Sequence, residues 1–234
     1  MPRAAFRRPL HKRVAAQLAL LDSAFLASCQ CHFGGGTRIV LELGEYRESK
    51  DIDLLCADQA GYRKLRESLP GDGLGPIARK GLRALRDVRA DQYGVRTMIG
   101  TTEAPLKFEI VREARIALTA TTVRGIPVSC LDRPSAFAEK FLANADRGID
   151  TSTLSRDAID LAFMLEGWDM ADAWAGFEIA SAAYGAEIPR KVAAVCKLLL
   201  GDRRYLTRCV DALSIEDTAT LRRGLRALER LAPA

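Results

Sequence analysis

The sequence predicts an α+β fold: a small mixed β-sheet flanked by helices over residues 1–128, followed by a helical domain over 129–234. Three observations lead there. Strand-like alternation and glycine turns are confined to the first half of the 234 residues, and everything after about residue 130 carries helical spacing. A composition of 48% hydrophobic and 28% charged residues is that of a globular chain, and its length suffices to bury a core without disulfide staples.

Taken in order, Leu10, Val14, Leu18, Leu21 and Phe25 recur at three- and four-residue intervals. That spacing predicts one amphipathic helix rather than an export signal, because Gln17 and Asp22 interrupt the apolar run. CQCHF (29–33) predicts a short strand, GGGT (34–37) a tight turn, and TRIVLEL (37–43) a helix closed by Gly44. KDIDLLC (50–56) predicts a second strand with Asp51 and Asp53 on one face and Ile52 and Leu54 on the other. Residues 61–90 predict a helix, a Gly/Pro loop at 70–76 and a second basic segment. YGVRTMIG and PLKFEIVREARI alternate as strands, Lys107 and Glu109 sharing a face opposite Phe108 and Ile110. A further strand is expected in ALTATTVRGIPVSC, after which Pro134 opens a helical series: SAFAEKFLANADRG, SRDAIDLAFMLEGW and three or four more helices.

No stretch approaches the roughly 18 apolar residues of a membrane-spanning helix, so a soluble chain with no membrane partner is expected. The six cysteines form no CxxC pair, which argues against a zinc site or a disulfide lattice and fits a reduced cytoplasm. The net charge of +5 is segregated: residues 1–13 and 61–90 together carry +10, leaving −5 elsewhere. A basic surface for RNA beside an acidic site would give this pattern; so would solvated helix faces.

Two aspartates one residue apart on a strand, with a third carboxylate on another, repel one another unless a cation neutralises them. Magnesium suits such an open oxygen site, and two ions could serve an in-line phosphoryl displacement. In FGGGT the small residues let the backbone approach a phosphate, the following helix aims N–H groups at it, and Thr37 adds a hydroxyl. Other features carry less. GDGLG (71–75) has no GK[ST] after it and is a turn. His11 and His32 lack a third ligand, which leaves structural roles, and Tyr46 and Tyr93 are expected to pack.

Gly35-Gly36-Thr37, then thirteen residues, then Asp51-Ile52-Asp53-Leu54, closely resembles the signature of the AbiEii/AbiGii-type toxin nucleotidyltransferases of the DNA polymerase β-like superfamily. The resemblance extends over roughly 25–166, through Lys140 in FAEKFLANADRG, Arg147, and Arg156-Asp157-Ala158-Ile159-Asp160. It implies a nucleotidyltransferase-type sheet whose cleft is completed by the helical domain. Gly35, Gly36 and Thr37 would contact the triphosphate, Asp51 and Asp53 would bind Mg2+, and Glu109 would be the third carboxylate, as metal ligand or base. Lys140 would bind phosphate charge, with Arg156 beside it, and an acid of the Arg156 helix, either Asp157 or Asp160, would work with Lys140. The alternative for those two acids is an ordinary helix first turn favoured by the dipole.

The implied reaction moves NMP from an NTP to an acceptor hydroxyl, the 3′ end of tRNA foremost, in a toxin restrained by an antitoxin protein. Nucleotidylation of a protein or small molecule, and a catalytically silent nucleotide- or RNA-binding protein, are the competing expectations.

Overall fold

The computed structural model describes residues 6–71 and 73–231. The chain divides into two compact units, Met1–Leu41 with Ser49–Asp132, and Glu42–Glu48 with Arg133–Ala234. The division thus falls at Asp132/Arg133, and the 42–48 segment, expected with the sheet, groups with the helices. Of the basic stretch 1–13, residues 1–5 lie outside the described residues.

The first unit opens with α1 (Pro9–Leu18) and α2 (Ser23–Ser28). Here the sequence predicted one helix. The chain turns after Leu18 because the Asp22 carboxylate accepts from Phe25 N at 2.8 Å, capping a new helix, while Leu21 bridges to Ala78. Then follow β1 (Cys31–Phe33), α3 (Gly35–Glu42), β2 (Ile52–Cys56) and α4 (Gln59–Glu67), itself capped by Asp58. Of GDGLG, Asp72 lies outside the described residues and Gly75 opens a short 3-10 turn at Gly75–Ile77. After it come β3 (Arg89–Ala90) and the hairpin β4 (Gly94–Thr101) and β5 (Ala104–Arg112). The strand expected before Cys130 is two short pieces, β6 (Ala120–Thr121) and β7 (Cys130–Leu131), separated by a loop containing Gly125 and Pro127.

These strands form one mixed sheet in the order β3-β4-β5-β2-β1-β7-β6, with β2–β5 and β1–β7 parallel and the other neighbours antiparallel. The parallel register of β2 and β5 sets Ile52 beside Phe108 and Asp53 beside Glu109. Side chains alternate, so Ile52, Leu54, Phe108 and Ile110 fill the core with Val14, Leu18, Leu26 and Leu65, and the charged residues share the other face.

The second unit comprises α5 (Arg133–Arg147), α6 (Arg156–Gly167), α7 (Met170–Tyr184), α8 (Glu187–Gly201), α9 (Arg203–Ala212) and α10 (Thr218–Leu231). Pro134 stands in the first turn of α5, where its missing N–H costs nothing. Phe137, Phe141, Ile159, Leu161, Val192, Val195, Leu221, Leu225 and Leu228 form its core. Among the described residues no helix is long and apolar enough to cross a membrane. The six cysteines are buried and unbridged.

Close helix contact makes one stability prediction. A Cβ at Gly224 of α10 would collide with the Ala162 backbone of α6, whereas one at Gly201 meets nothing within 4 Å. Gly224→Ala is therefore expected to cost about 1–3 kcal/mol, read as a lower denaturant midpoint at unchanged slope, and Gly201→Ala to leave the midpoint unchanged or raise it.

Candidate active site

The turn after β1 brings backbone and acid together. Gly34 N donates to Asp53 O at 2.9 Å, and the chain enters α3 at Gly35 with φ of +65°. A Cβ at Gly35 would lie 2.6 Å from Asp53 Oδ2, so both the backbone conformation and the Asp53 carboxylate exclude a side chain there. Asp53 thus stands against the first turn of α3, where unpaired N–H groups and the helix dipole favour anions. Thr37 is buried, its hydroxyl 2.8 Å from Ser49 Oγ, which fastens α3 to the segment entering β2. Gly36 is half-buried in the first turn, and Asp51, half-buried, immediately precedes β2.

Across the sheet one register row reads Asp53, Glu109, Arg96, Arg89 over β2, β5, β4 and β3. Glu109 accepts from Arg96 Nε at 2.6 Å on one oxygen and from Lys107 on the other. Burial would raise its carboxyl, but Lys107 and Arg96 outweigh that and hold it below the ordinary value. Burial would likewise lower the Lys107 ammonium; Glu109, then Asp53 and Asp51, hold it above. Asp53 and Glu109 share a face and Asp51 lies just before β2, yet among the described residues no group of three or more His, Cys, Asp or Glu side chains is spaced to hold a metal. His11 instead accepts from Ser49 N, and His32 pairs with Ser129 Oγ at 3.0 Å.

The helical unit holds a second charge cluster of a different kind. Lys140 of α5 reaches Asp157 Oδ1 at 2.8 Å and Asp160 Oδ2 at 2.7 Å, both one helical turn apart on α6. Asp160 also takes Arg47 Nε at 2.7 Å, Arg47 Nη2 at 2.8 Å and Tyr46 Oη at 2.6 Å. Asp157 takes Arg147 Nε at 2.7 Å and Nη2 at 3.1 Å. Lys140, Arg47, Asp157 and Asp160 are all buried, and Arg156 begins α6 half-buried. Burial opposes every one of these charges; for Lys140 the Asp157 and Asp160 carboxylates overcome it and raise the ammonium. For Asp157, Lys140 and Arg147 overcome it, and for Asp160, Arg47 and Lys140 do, holding both carboxyls below the ordinary range.

Residues 19–223 match the family described as nucleotidyl transferase AbiEii toxin, type IV TA system. The chain belongs to the AbiEii nucleotidyltransferase toxin family. This AbiEii chain is a nucleotidyltransferase, and the family places it in a type IV toxin–antitoxin system. It is similar in structure to a Helicobacter pylori chain named as a nucleotidyltransferase, at 17% identity and TM-score 0.51, over 95% of this chain and 91% of that one. JHP933 from Helicobacter pylori aligns at 19% identity and TM-score 0.49, over 95% and 88%. The first of these likenesses shows the fold. No curated protein matches the chain.

Four residues of the AbiEii chain's two clusters were given no functional role by the sequence, although Tyr46 and Arg47 lie in the stretch LELGEYRESKDIDLL that shares the family resemblance. Arg96 becomes visible only through its register with Glu109, and Tyr46 and Arg47 lie in a segment whose partner is more than a hundred residues away. Lys107 was legible only as a face-mate of Glu109. Tyr46 packs as expected, its ring stacked on Phe163 with centroids 4.0 Å apart, while Tyr93 is exposed.

Removing one partner of a buried ion cluster strands the other, so Asp160→Ala is expected to cost about 3–5 kcal/mol in chemical denaturation. Carboxyls held below their ordinary values stay ionised in the folded chain where the unfolded chain takes up protons. The stability that Asp157 and Asp160 contribute is therefore full above about pH 4 and lost as pH falls towards their folded values. Lys140, raised when folded, contributes fully below about pH 10 and loses that contribution on further alkalinisation. Denaturant midpoints between pH 3 and 11 should show this plateau, flattened at its acid edge in Asp160→Ala.

Proposed function

We propose that this toxin transfers a nucleoside monophosphate from an NTP to the 3′ hydroxyl of a tRNA, using magnesium at Asp51 and Asp53, and is restrained by an antitoxin protein in the cytoplasm. The observation that carries the reading is the Gly35–Asp53 contact, which sets a carboxylate beside a helix N-terminus with no side chain between them. Such a place suits a phosphate and the cation that accompanies it. Oxygen-only donors on an open sheet face are the chemistry of a hard divalent ion.

Bound there, magnesium would polarise the phosphate and neutralise charge on the leaving pyrophosphate. The chain's own part is positioning. Backbone N–H groups of Gly35 and Gly36 hold phosphate oxygens, and Thr37 keeps α3 fixed through Ser49. The acceptor oxygen bonds to the α-phosphorus as the bond to pyrophosphate breaks, the hydroxyl proton passes to solvent water and pyrophosphate departs. Glu109, with both oxygens taken and its carboxyl held low, is suited to anchoring Arg96 and Lys107 and is a poor proton acceptor.

In the helical unit Asp160 accepts four bonds and is a positioning residue for Lys140. Asp157 accepts three and is bound by Arg147, whose side chain is 42% exposed; this makes Asp157 the acid of the pair with a link to solvent and to phosphate charge. Arg156 adds a cation at the start of the same helix. Support for RNA comes from the edge of the sheet, where Arg83, Arg86 and Arg89 are exposed along the segment flanking β4. Buried cysteines without a disulfide among them suit a reducing compartment.

Incubation with labelled NTPs, magnesium and total RNA should put label on tRNA 3′ ends, and Asp53→Ala should reduce it roughly a thousandfold, several kcal/mol of transition-state stabilisation. Label on polypeptide, or transfer undiminished in Asp53→Ala, overturns the proposal. Replacing Arg86 or Arg89 by Ala should weaken tRNA binding across sequences and reduce the salt slope of log K by about 1 each.

A further inference from the structure

We infer that Lys107 is a tethered cation on the acidic face, holding Glu109 away from the Asp51–Asp53 pair so that the nucleotide-free chain binds one divalent ion and not two. The inference rests on the metal site proposed for Asp51 and Asp53.

Strand register carries it. Lys107 and Glu109 lie two residues apart on β5, and β5 runs parallel to β2 with Glu109 level with Asp53. Ile52 pairs with Phe108, and Asp51 and Lys107 are the residues just before them, so four charged side chains gather at one end of the β2–β5 pair. Glu109 is the enclosed member, with its side chain 13% exposed, while Lys107 is 47% exposed and reaches inward to it. Arg96 fills the other Glu109 oxygen from β4. With a cation on each oxygen, Glu109 already has its charge matched, and an ion approaching it meets the positive charge of Lys107 and Arg96. Asp91 shares Arg96 at 3.5 Å, so four acids face two bases and the net −2 is cancelled by one dication, leaving nothing to draw a second while the ammonium stays.

Manganese alone, in the absence of nucleotide, tests this by calorimetric titration and by electron paramagnetic counting of bound ions. The intact chain should bind one Mn2+ per protein, and Asp53→Asn should abolish that binding. Lys107→Met should bind Mn2+ about tenfold tighter or take up a second ion, whereas Lys107→Arg should behave as the unaltered chain. Because the expected change is a gain, misfolding of the variant cannot mimic it. Two ions on the unaltered chain, or a Lys107→Met titration identical to it, overturns the role of Lys107 while leaving the Asp51–Asp53 site standing. Absence of any Asp53-dependent binding overturns both.

Discussion

An absent side chain governs the sheet unit. Gly35 stands where any Cβ would strike the Asp53 carboxylate, and it does so with a positive φ that only glycine adopts without strain. The strand order follows from the same contact: β1 must end beside β2 for Gly34 to bond Asp53, and β2 must lie beside β5 for the acidic row to reach Arg96. A methyl group at position 35 would push α3 from Asp53, and the helix dipole and the carboxylate would no longer address the same space.

The two charge clusters of this toxin are built on opposite principles. In the sheet unit the acids are half-exposed, and water screens their repulsion. In the helical unit five charged side chains and Tyr46 are locked together, almost every donor and acceptor matched, and burial makes each bond depend on the others. An open cluster can exchange partners for substrate; a saturated one serves to hold geometry. Lys140, Asp157 and Asp160 accordingly tie α5, α6 and the 42–48 segment into one body, and the chemistry proposed above falls to Asp51 and Asp53.

Much of this was legible in the residues, because local rules decided it. The strand at 31–33, a helix after the glycines, the strand carrying Asp53 and the Lys107–Glu109 alternation follow from period-two and turn chemistry, although Gly35, Gly36 and Thr37, expected as a turn, are already the first turn of α3, and Asp51, expected in the strand, precedes it. What escaped depended on long-range contacts. Leu10 to Phe25 share one helical period, yet a cap at Asp22 and a bridge from Leu21 to Ala78 break them into two helices. Arg96 meets Glu109 only because β4 and β5 pair in one register, and Arg47 meets Asp160 across a separation no spacing rule encodes. The family signature pointed to Lys140 and to the Arg156–Asp160 stretch as a group, and only the hydrogen bonds separate a fully enclosed Asp160 from an Asp157 linked to solvent through Arg147.

The most direct measurement is a crystal structure of the chain with magnesium and a non-hydrolysable NTP. The account predicts an ion bound by Asp51 and Asp53, with phosphate oxygens on the backbone N–H groups of Gly35 and Gly36. A nucleotide and ion bound elsewhere, with the Gly35–Asp53 contact untouched by either, would contradict it.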